Sequence, residues 1–167
     1  MALLPVATAL AKVLEGITPP TPEMVALDDA DGRVLADDIA ARLTQPPFNA
    51  SAMDGYAVFG DAPSEVGDRW TVIGESAAGH AFAGKVERGQ AVRIFTGAPV
   101  PATCGTVVIQ ENVSRTGDVV TAMDATRAGA NIRKAGCDFA EGDALLRRGR
   151  RLEAHTLPLA AAMGHGS

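Results

Sequence analysis

The fold of this chain is decided by one stretch, which reads PPFNASAMDGYAV and covers residues 46–58. Pro46 and Pro47 hold the backbone extended and lack N–H donors, so they bring the chain to the following residues without joining a sheet. Asp54-Gly55 followed by Tyr-Ala-Val predicts a tight turn leading into a strand, because glycine tolerates positive φ. The small residues before Asp54 would let another surface approach its carboxylate. An ordinary β-turn that contains an aspartate explains the same pattern, and both interpretations stay open here.

A second stretch of the same kind, RIFTGAPVP, lies at residues 93–101. It predicts a strand over 91–95 that ends at Thr96-Gly97, and Pro99 with the proline after it stiffens the exit. Thr96 therefore sits at a strand end, where a rigid backbone can aim its hydroxyl group. The alternative is a turn residue whose hydroxyl bonds to its own backbone.

The middle of the chain alternates short apolar segments with turns rich in Gly, Pro and Asp. Strands are predicted at 56–59, 69–73, 91–95, 106–110, 112–115 and 119–122. Thr-Gly-Asp at 116–118 predicts a hairpin turn between the last two. Closely spaced strands of this kind predict a small barrel or sandwich.

The two ends of the chain have a mixed pattern. Apolar residues at helical spacing predict an amphipathic helix over 5–14, and the apolar run at 157–163 is also helix-like. The pattern between these regions predicts a loop at 17–22, a short strand at 24–27, a helical turn or loop at 28–32 and a helix or, preferably, a short strand at 33–40.

Composition narrows the class of protein. Hydrophobic residues make up 47% and charged residues 21% of the 167 positions, which is typical of a globular chain with a real core. A net charge of −5 argues against nucleic acid as a partner. No apolar run reaches the roughly 20 residues of a membrane span. The first residues lack the charged region of a signal peptide, so we expect a cytoplasmic protein in which Cys104 and Cys137 are free thiols.

Together these motifs resemble the MoeA/gephyrin family. Besides the two stretches above, the resemblance rests on VVIQE at 107–111, NIR at 131–133, Gly136 and Asp138, and it runs from Leu3 to Leu159 in the family's order and spacing. The resemblance implies the N-terminal region of a molybdopterin molybdenumtransferase. Such an enzyme uses molybdate and magnesium to insert molybdenum into adenylylated molybdopterin, which yields molybdenum cofactor and AMP.

The resemblance also implies a fold. It is mainly β with some α, with coiled and bifurcated sheets, and a small β-rich domain at 46–140 is inserted into an elongated mixed domain made of 1–45 and 141–167. In the family a pterin- and nucleotide-binding domain and a small β domain follow. We therefore expect the chain to be part of a longer enzyme, inactive alone and without a bound cofactor of its own.

The family's site carries over to particular positions. Asp54 and Thr96 are expected to be catalytic, at a cleft shared between the two subunits of a homodimer, with Asp54 positioning metal or water through its charge and Thr96 orienting through its hydroxyl. No metal-ligand cluster is expected. Five neighbours in the same motifs are expected to bind substrate: Ser51, Met53, Gly55, Gly97 and Pro99. The chain has Gly105 and Cys137 where the family usually has acidic residues, which puts carboxylate contacts there in doubt.

Other charged groups and one rival function complete the expectations. Arg147, Arg148, Arg150 and Arg151 could face a phosphate, but a solvated turn is preferred. Arg133 is expected to pair with Asp138 or Glu141. The rival function is a gephyrin-like scaffold or binding module without catalysis. A large exposed apolar patch away from Asp54 favours the scaffold, and convergence of Asp54 with Thr96 favours the enzyme.

Overall fold

A computed structural model describes residues 4–18 and 20–166 of the chain. Its helices are α1 (Val6–Leu14) and α2 (Leu157–Ala162), with short 3₁₀ turns at Leu27–Asp29 and Gln110–Asn112. Its strands are β1 (Ile39–Ala40), β2 (Ala50–Ser51), β3 (Gly55–Phe59), β4 (Arg69–Ser76), β5 (Gln90–Ile94), β6 (Cys104–Ile109), β7 (Val113–Thr116), β8 (Val119–Ala122), β9 (Ile132–Arg133) and β10 (Ala144–Leu146). The predicted class, mainly β with some α, is confirmed.

Six of these strands form one mixed sheet in the order β6-β3-β5-β4-β8-β7. Neighbours are antiparallel except β4 and β5, which run parallel. All six predicted strands are present within a few residues, and the β7–β8 hairpin turns at Gly117 with φ +61°. The expected barrel or sandwich is wrong, because the order runs from β6 to β7 without joining these two edges.

The large sheet is buried on both faces. Successive residues of a strand point to opposite sides, so Tyr56 and Val58 lie on one face and Ala57 on the other. The first face packs Tyr56, Val58, Trp70, Ala91, Val108, Val120 and Ala122. The second packs Ala57, Val86, Val92, Ile94, Ala98, Cys104 and Val107. Because both faces are covered, β3 is a nearly continuous buried run, and only Phe59 at its end is exposed.

A third core joins the two ends of the chain. Strand β1 pairs with β10 in antiparallel fashion, and isolated bridges between Gln45 and Phe139 and between Val34 and Arg151 extend the contact. The segments that lead into and out of the β-rich middle therefore lie side by side. This core contains Ala30, Ala41, Phe139, Leu146, Leu152, Ala160 and Met163. The cores divide close to the predicted domain junctions, although the division into two domains stays a prediction.

Two predictions for the first 45 residues need correction. No strand forms at 24–27: the side chain of Met24 is 82% exposed, and Leu27 begins a 3₁₀ turn instead. A strand requires a ladder of hydrogen bonds to a neighbour, whereas the N–H of Leu27 makes a single bond, at 3.0 Å, to the carbonyl of Gly166. The predicted strand at 33–40 shortens to Ile39–Ala40 for a related reason, since the ladder to residues 144–151 is irregular there.

Helix α1 forms as predicted, but its apolar stripe faces outward. The stripe residues Val6, Leu10, Val13 and Leu14 are all more than half exposed. In contrast, α2 places Ala160 in the third core. Within the described residues, no helix combines the length and apolar character that crossing a membrane demands.

Candidate active site

The residues that precede Asp54 are held from both sides. Strand β2 pairs with β9 on one side, with Ala50 opposite Arg133. On the other side the backbone N–H of Ser51 donates to the carbonyl of Ala98 at 2.9 Å, and the N–H of Gly97 donates back to the carbonyl of Ser51 at 2.8 Å. Strand β2 is therefore the middle one of three short hydrogen-bonded segments, and this pairing fixes the position of Asp54 just after it.

Asp54 and Thr96 meet because β3 and β5 are antiparallel. Gly55 at the start of β3 lies opposite Ile94 at the end of β5, so the residues just outside both strands become neighbours. The Oδ1 atom of Asp54 accepts hydrogen bonds from the backbone N–H and from the hydroxyl of Thr96, both at 2.8 Å. The Thr96 hydroxyl therefore binds the other turn, and neither residue merely closes its own.

These bonds favour the ionised form of Asp54. The backbone N–H of Thr96, then its hydroxyl, and finally the charge of Arg93 lower the pKa of Asp54 below its ordinary value, while partial desolvation opposes them. Asp54 is consequently ionised at neutral pH. Its Oδ1 is occupied by two donors, whereas Oδ2 has no hydrogen-bond partner among the described residues and can accept one from a ligand.

Two of the expected substrate contacts are buried. Ser51 is 1% exposed, and its hydroxyl donates to the carbonyl of Met53 at 2.6 Å. Gly55 packs so tightly that a Cβ atom there would lie 2.1 Å from the carbonyl oxygen of Val108. Both residues shape the turn, and their burial argues against direct contact with a substrate in this chain.

The other three expected contacts differ in accessibility. The side chain of Met53 is 43% exposed beside Asp54. Gly97 is exposed with φ +81°, and open space surrounds its Cα. Pro99 is partly buried, and its carbonyl accepts the hydroxyl of Ser76 at 2.8 Å. Met53 and Gly97 can touch a ligand as they stand, and Pro99 mainly anchors its loop.

Motif reading from the sequence did not single out two further residues at this end of the sheet, Arg93 and Gln110. The N–H of Gln110 donates to the carbonyl of Asp54 at 3.1 Å. The Arg93 guanidinium donates to Gln110 Oε1 at 2.6 Å and to the carbonyl of Gly55 at 3.1 Å. The sequence did contain a signal for Arg93, since it interrupts the apolar run of β5. A charged residue in a buried strand is rare unless it is paired.

Arg133 and Arg147 form ion pairs at the surface. Arg133 donates to both carboxylate oxygens of Asp138, at 2.6 and 2.7 Å, so of the two predicted partners Asp138 is the right one. Arg147 bonds to Asp38 at 2.7 Å, and its side chain is 68% exposed. The exposure of Arg147 agrees with the solvated turn that the sequence favours for this group of arginines.

The described residues near Asp54 form no cluster of metal-binding side chains. No group of three His, Cys, Asp or Glu side chains in residues 4–18 and 20–166 is placed to hold a metal. Magnesium, however, is commonly bound by one or two carboxylates together with substrate phosphates and water. The free Oδ2 of Asp54 fits that single-carboxylate role.

The departure at position 105 has a structural cause. A Cβ atom on Gly105 would lie 2.8 Å from both the Cα of Asp61 and the carbonyl oxygen of Gly60, so the backbone leaves no room for a side chain. An open cleft of about 260 Å³ lies here, lined by Gly60, Asp61, Ala102, Thr103, Cys104 and Gly105. A side chain at this position would therefore require the backbone at Gly60 and Asp61 to move.

Known proteins share both the sequence and the fold. The family model for the MoeA N-terminal region (domain I and II) matches residues 4–164. The chain belongs to this family. The MoeA N-terminal assignment agrees with a crystal structure of the molybdopterin biosynthesis moeA protein from Pyrococcus horikoshii OT3. The two structures superimpose with a TM-score of 0.85 at 33% sequence identity, and the match covers 99% of the chain and 45% of that protein.

Two curated relatives of this MoeA N-terminal chain carry a functional name. The molybdopterin molybdenumtransferase of Haemophilus influenzae is 37% identical over 159 residues, covering 93% of the chain and 39% of the relative. Molybdopterin molybdenumtransferase 2 of Mycobacterium tuberculosis is 37% identical over 147 residues, covering 86% of the chain and 36% of the relative. The chain thus spans about two fifths of the length of these relatives.

Proposed function

We propose that this chain serves as the N-terminal part of a molybdopterin molybdenumtransferase. The reaction inserts molybdenum from molybdate into adenylylated molybdopterin, with magnesium, and releases molybdenum cofactor and AMP. One observation carries the proposal: Asp54, in a MoeA N-terminal chain, is held by two bonds from Thr96 and keeps one free carboxylate oxygen.

The role proposed for Asp54 is electrostatic. Its Oδ2 would serve as one ligand of magnesium or as the acceptor for a bound water, while Thr96 fixes the plane of the carboxylate. Magnesium bound there would neutralise charge on the substrate's phosphates. A group that is already oriented before the substrate arrives loses little free energy to reorganisation, which is how such groups favour a transition state.

The proposal includes a homodimer in which a second subunit completes the cleft. Met53 and Gly97 are exposed beside Asp54 and would face the pterin-binding part of the partner. Sedimentation of the chain, and of a longer chimeric enzyme described below, measures this directly. Dimers only in the chimera would place the main contacts outside residues 4–164.

A scaffold module without catalysis is the second candidate, and α1 is the observation that favours it. Its exposed apolar stripe is the kind of surface that binds another protein. The enzyme is the better supported candidate because Asp54 and Thr96 converge, whereas a scaffold has no use for an oriented carboxylate. An active chimera that keeps its activity in Leu10→Ser would separate α1 from catalysis.

A chimera tests the enzymatic proposal. Residues 4–164 replace the matching region of the Haemophilus influenzae enzyme, and AMP release is measured with adenylylated molybdopterin, molybdate and magnesium. We expect activity that Asp54→Asn largely removes. A folded chimera without activity, beside an active parent enzyme, would contradict the proposal, and so would activity that is indifferent to Asp54→Asn.

A further inference from the structure

Arg93 is a charged residue within the mostly buried strand β5 of the large sheet. It lies on β5 between Val92 and Ile94, both fully buried on the opposite face, and so it points to the face that carries Tyr56. Its guanidinium carbon is 5.2 Å from the centre of the Tyr56 ring and 4.7 Å from that of Phe95. Stacking of this kind holds the plane of a guanidinium and favours its charge.

The same guanidinium bonds to two other strands at their site ends. One Nη atom donates to the carbonyl of Gly55 at the start of β3, and the other donates to Gln110 Oε1 just after β6. Gln110 in turn donates its backbone N–H to the carbonyl of Asp54. Arg93 itself stands three residues before Thr96. One side chain therefore ties together the three strand ends that carry Asp54, Thr96 and Gln110.

The charge of Arg93 also acts on Asp54. The two groups form no direct ion pair within the described residues, because both Nη atoms are bonded elsewhere, but the positive charge favours the ionised carboxylate through space. A lysine could supply that charge, whereas it could not bond two acceptors through a rigid planar fork while stacking on two rings.

We propose that Arg93 is a positioning residue, which fixes the Asp54–Thr96 pair by bonding to the carbonyl of Gly55 and to Gln110. The proposal rests on the proposed function only in taking Asp54 as the working group. Its test needs no substrate, so it can fail while the chimera is active, and it can succeed while the chimera is not.

The test compares three variants of the chain by NMR, through hydrogen exchange of the Thr96 amide and through the amide proton shift that reports its bond to Asp54. Arg93→Met should speed exchange of that amide and move its shift toward that of an unbonded amide. Arg93→Lys keeps the charge and loses the fork, so both quantities should stay as in Arg93→Met. Arg115→Met is the matched control: Arg115 lines the same cleft of about 310 Å³ as Arg93, yet it bonds to the carbonyl of Gly117. It should change neither quantity.

Two results would overturn the proposal. One is a Thr96 amide whose exchange rate and proton shift match the parent's in a folded Arg93→Met variant. The other is an equal change in Arg115→Met, which would mean that the effect is not specific to Arg93. If Arg93→Met does not fold, Gln110→Ala removes one of the two anchors at an exposed side chain. It must then speed Thr96 amide exchange, and unchanged exchange counts against the proposal.

Discussion

Asp54 differs from an ordinary turn aspartate in the residue that it binds. Its Oδ1 atom reaches across to Thr96, 42 residues away in sequence, so two turns share one carboxylate. The fold thus sets the orientation of the carboxylate, and only Oδ2 is left for chemistry. A test must therefore separate the charge of Asp54 from the bonds that it makes.

Asp54→Asn makes that separation. An amide oxygen can still accept both bonds from Thr96, so we expect only a small fall in melting temperature, which reflects the loss of the stability linked to the charge. AMP release by the chimera should fall by about an order of magnitude or more, as it does when one preorganised group is lost. If melting falls and the folded fraction keeps full activity, Asp54 is only a structural cap.

Thr96 is tested with two substitutions that differ by one hydroxyl. Thr96→Ser keeps the bond to Oδ1 and should retain most activity, whereas Thr96→Ala keeps only the backbone bond and should lose activity without unfolding. AMP release and melting temperature are measured on the same samples. Equal activity in the two variants would show that the hydroxyl has no positioning role.

The two thiols should react at very different rates. Both cysteines are free, as predicted, but Cys104 is buried and Cys137 is exposed. Burial raises the pKa of Cys104 to about 12, so its reactive thiolate is scarce at pH 8. Titration of the native chain with a thiol reagent should find one fast group, and unfolding should expose the second. A Cys137→Ser variant that still shows a fast thiol would contradict this assignment.

At the scale of elements, packing and backbone conformation restrict which residue a position accepts. The glycines of the two motifs show two different restrictions. Gly55 is required because β3 and β6 approach too closely for a side chain, whereas Gly97 is required by its positive φ alone. Both are also expected to bind substrate, which stays a prediction. Their substitutions should therefore have different costs.

We expect Gly97→Ala to lower the free energy of unfolding by about 1–2 kcal/mol, the cost of the left-handed conformation. Gly89→Ala is its matched control, since Gly89 has φ +79° and is also surrounded by open space. Gly55→Ala should cost at least about 3 kcal/mol, the upper end for forcing atoms into a packed region. Urea denaturation measures all three, and equal costs for Gly55 and Gly97 would refute the distinction.

Acid should loosen two connections between elements. Arg148 and Arg147 lower the pKa of Asp38, chiefly through the backbone N–H of Arg148, and Thr96 similarly lowers that of Asp54. As the pH falls, the carboxyl groups of the unfolded chain bind protons near the ordinary pKa of 3.8, whereas those of the folded chain bind them only at lower pH. The stability that these groups contribute is therefore present above pH 3.8 and is lost as the pH falls through the folded pKa.

Urea midpoints at pH 6 and pH 3 measure this loss. An Asp38→Asn variant and an Asp54→Asn variant should each lose less stability between the two pH values than the parent does. A parent-sized loss in both variants would assign the acid sensitivity to other carboxyl groups.

Long strands could be predicted from the sequence more accurately than short ones. The six strands of the large sheet could be predicted because each carries several apolar or β-branched residues between turn signals. Strands β2 and β9 could not, since a two-residue strand has no periodicity and exists only through its partner. The pairing of Asp54 with Thr96 depended on the β3–β5 register, which neither motif contains. The family resemblance supplied these two residues, and the register explains why they meet.

At the scale of the whole molecule, the chain is built around three cores. Two lie on the faces of the large sheet, and the third combines residues from both ends of the chain. Only Phe139 of the third core falls within the predicted inserted domain at 46–140. If the division into domains is correct, damage to the third core should stay local.

Met163→Ala tests this division. Met163 is fully buried in the third core, so the substitution should cost about 2–5 kcal/mol in the segments that surround it. Hydrogen exchange should rise at 27–45 and 139–163 and stay unchanged in β3–β8. Met24→Ala, at a position 82% exposed, is the control that should change little. A rise spread evenly over the large sheet would show that the chain unfolds as one unit.

The three-segment arrangement around Ser51 also bears on the order in which a ribosome makes the chain. Of the two flanks of this segment, the one at 97–100 is translated first, and β9 follows roughly 80 residues after Ser51, a delay of about 4–16 s at about 5–20 residues per second. Throughout that interval the nascent segment has an open hydrogen-bonding edge. The turn that carries Asp54 is thus among the early parts to be synthesised and among the late ones to be finished.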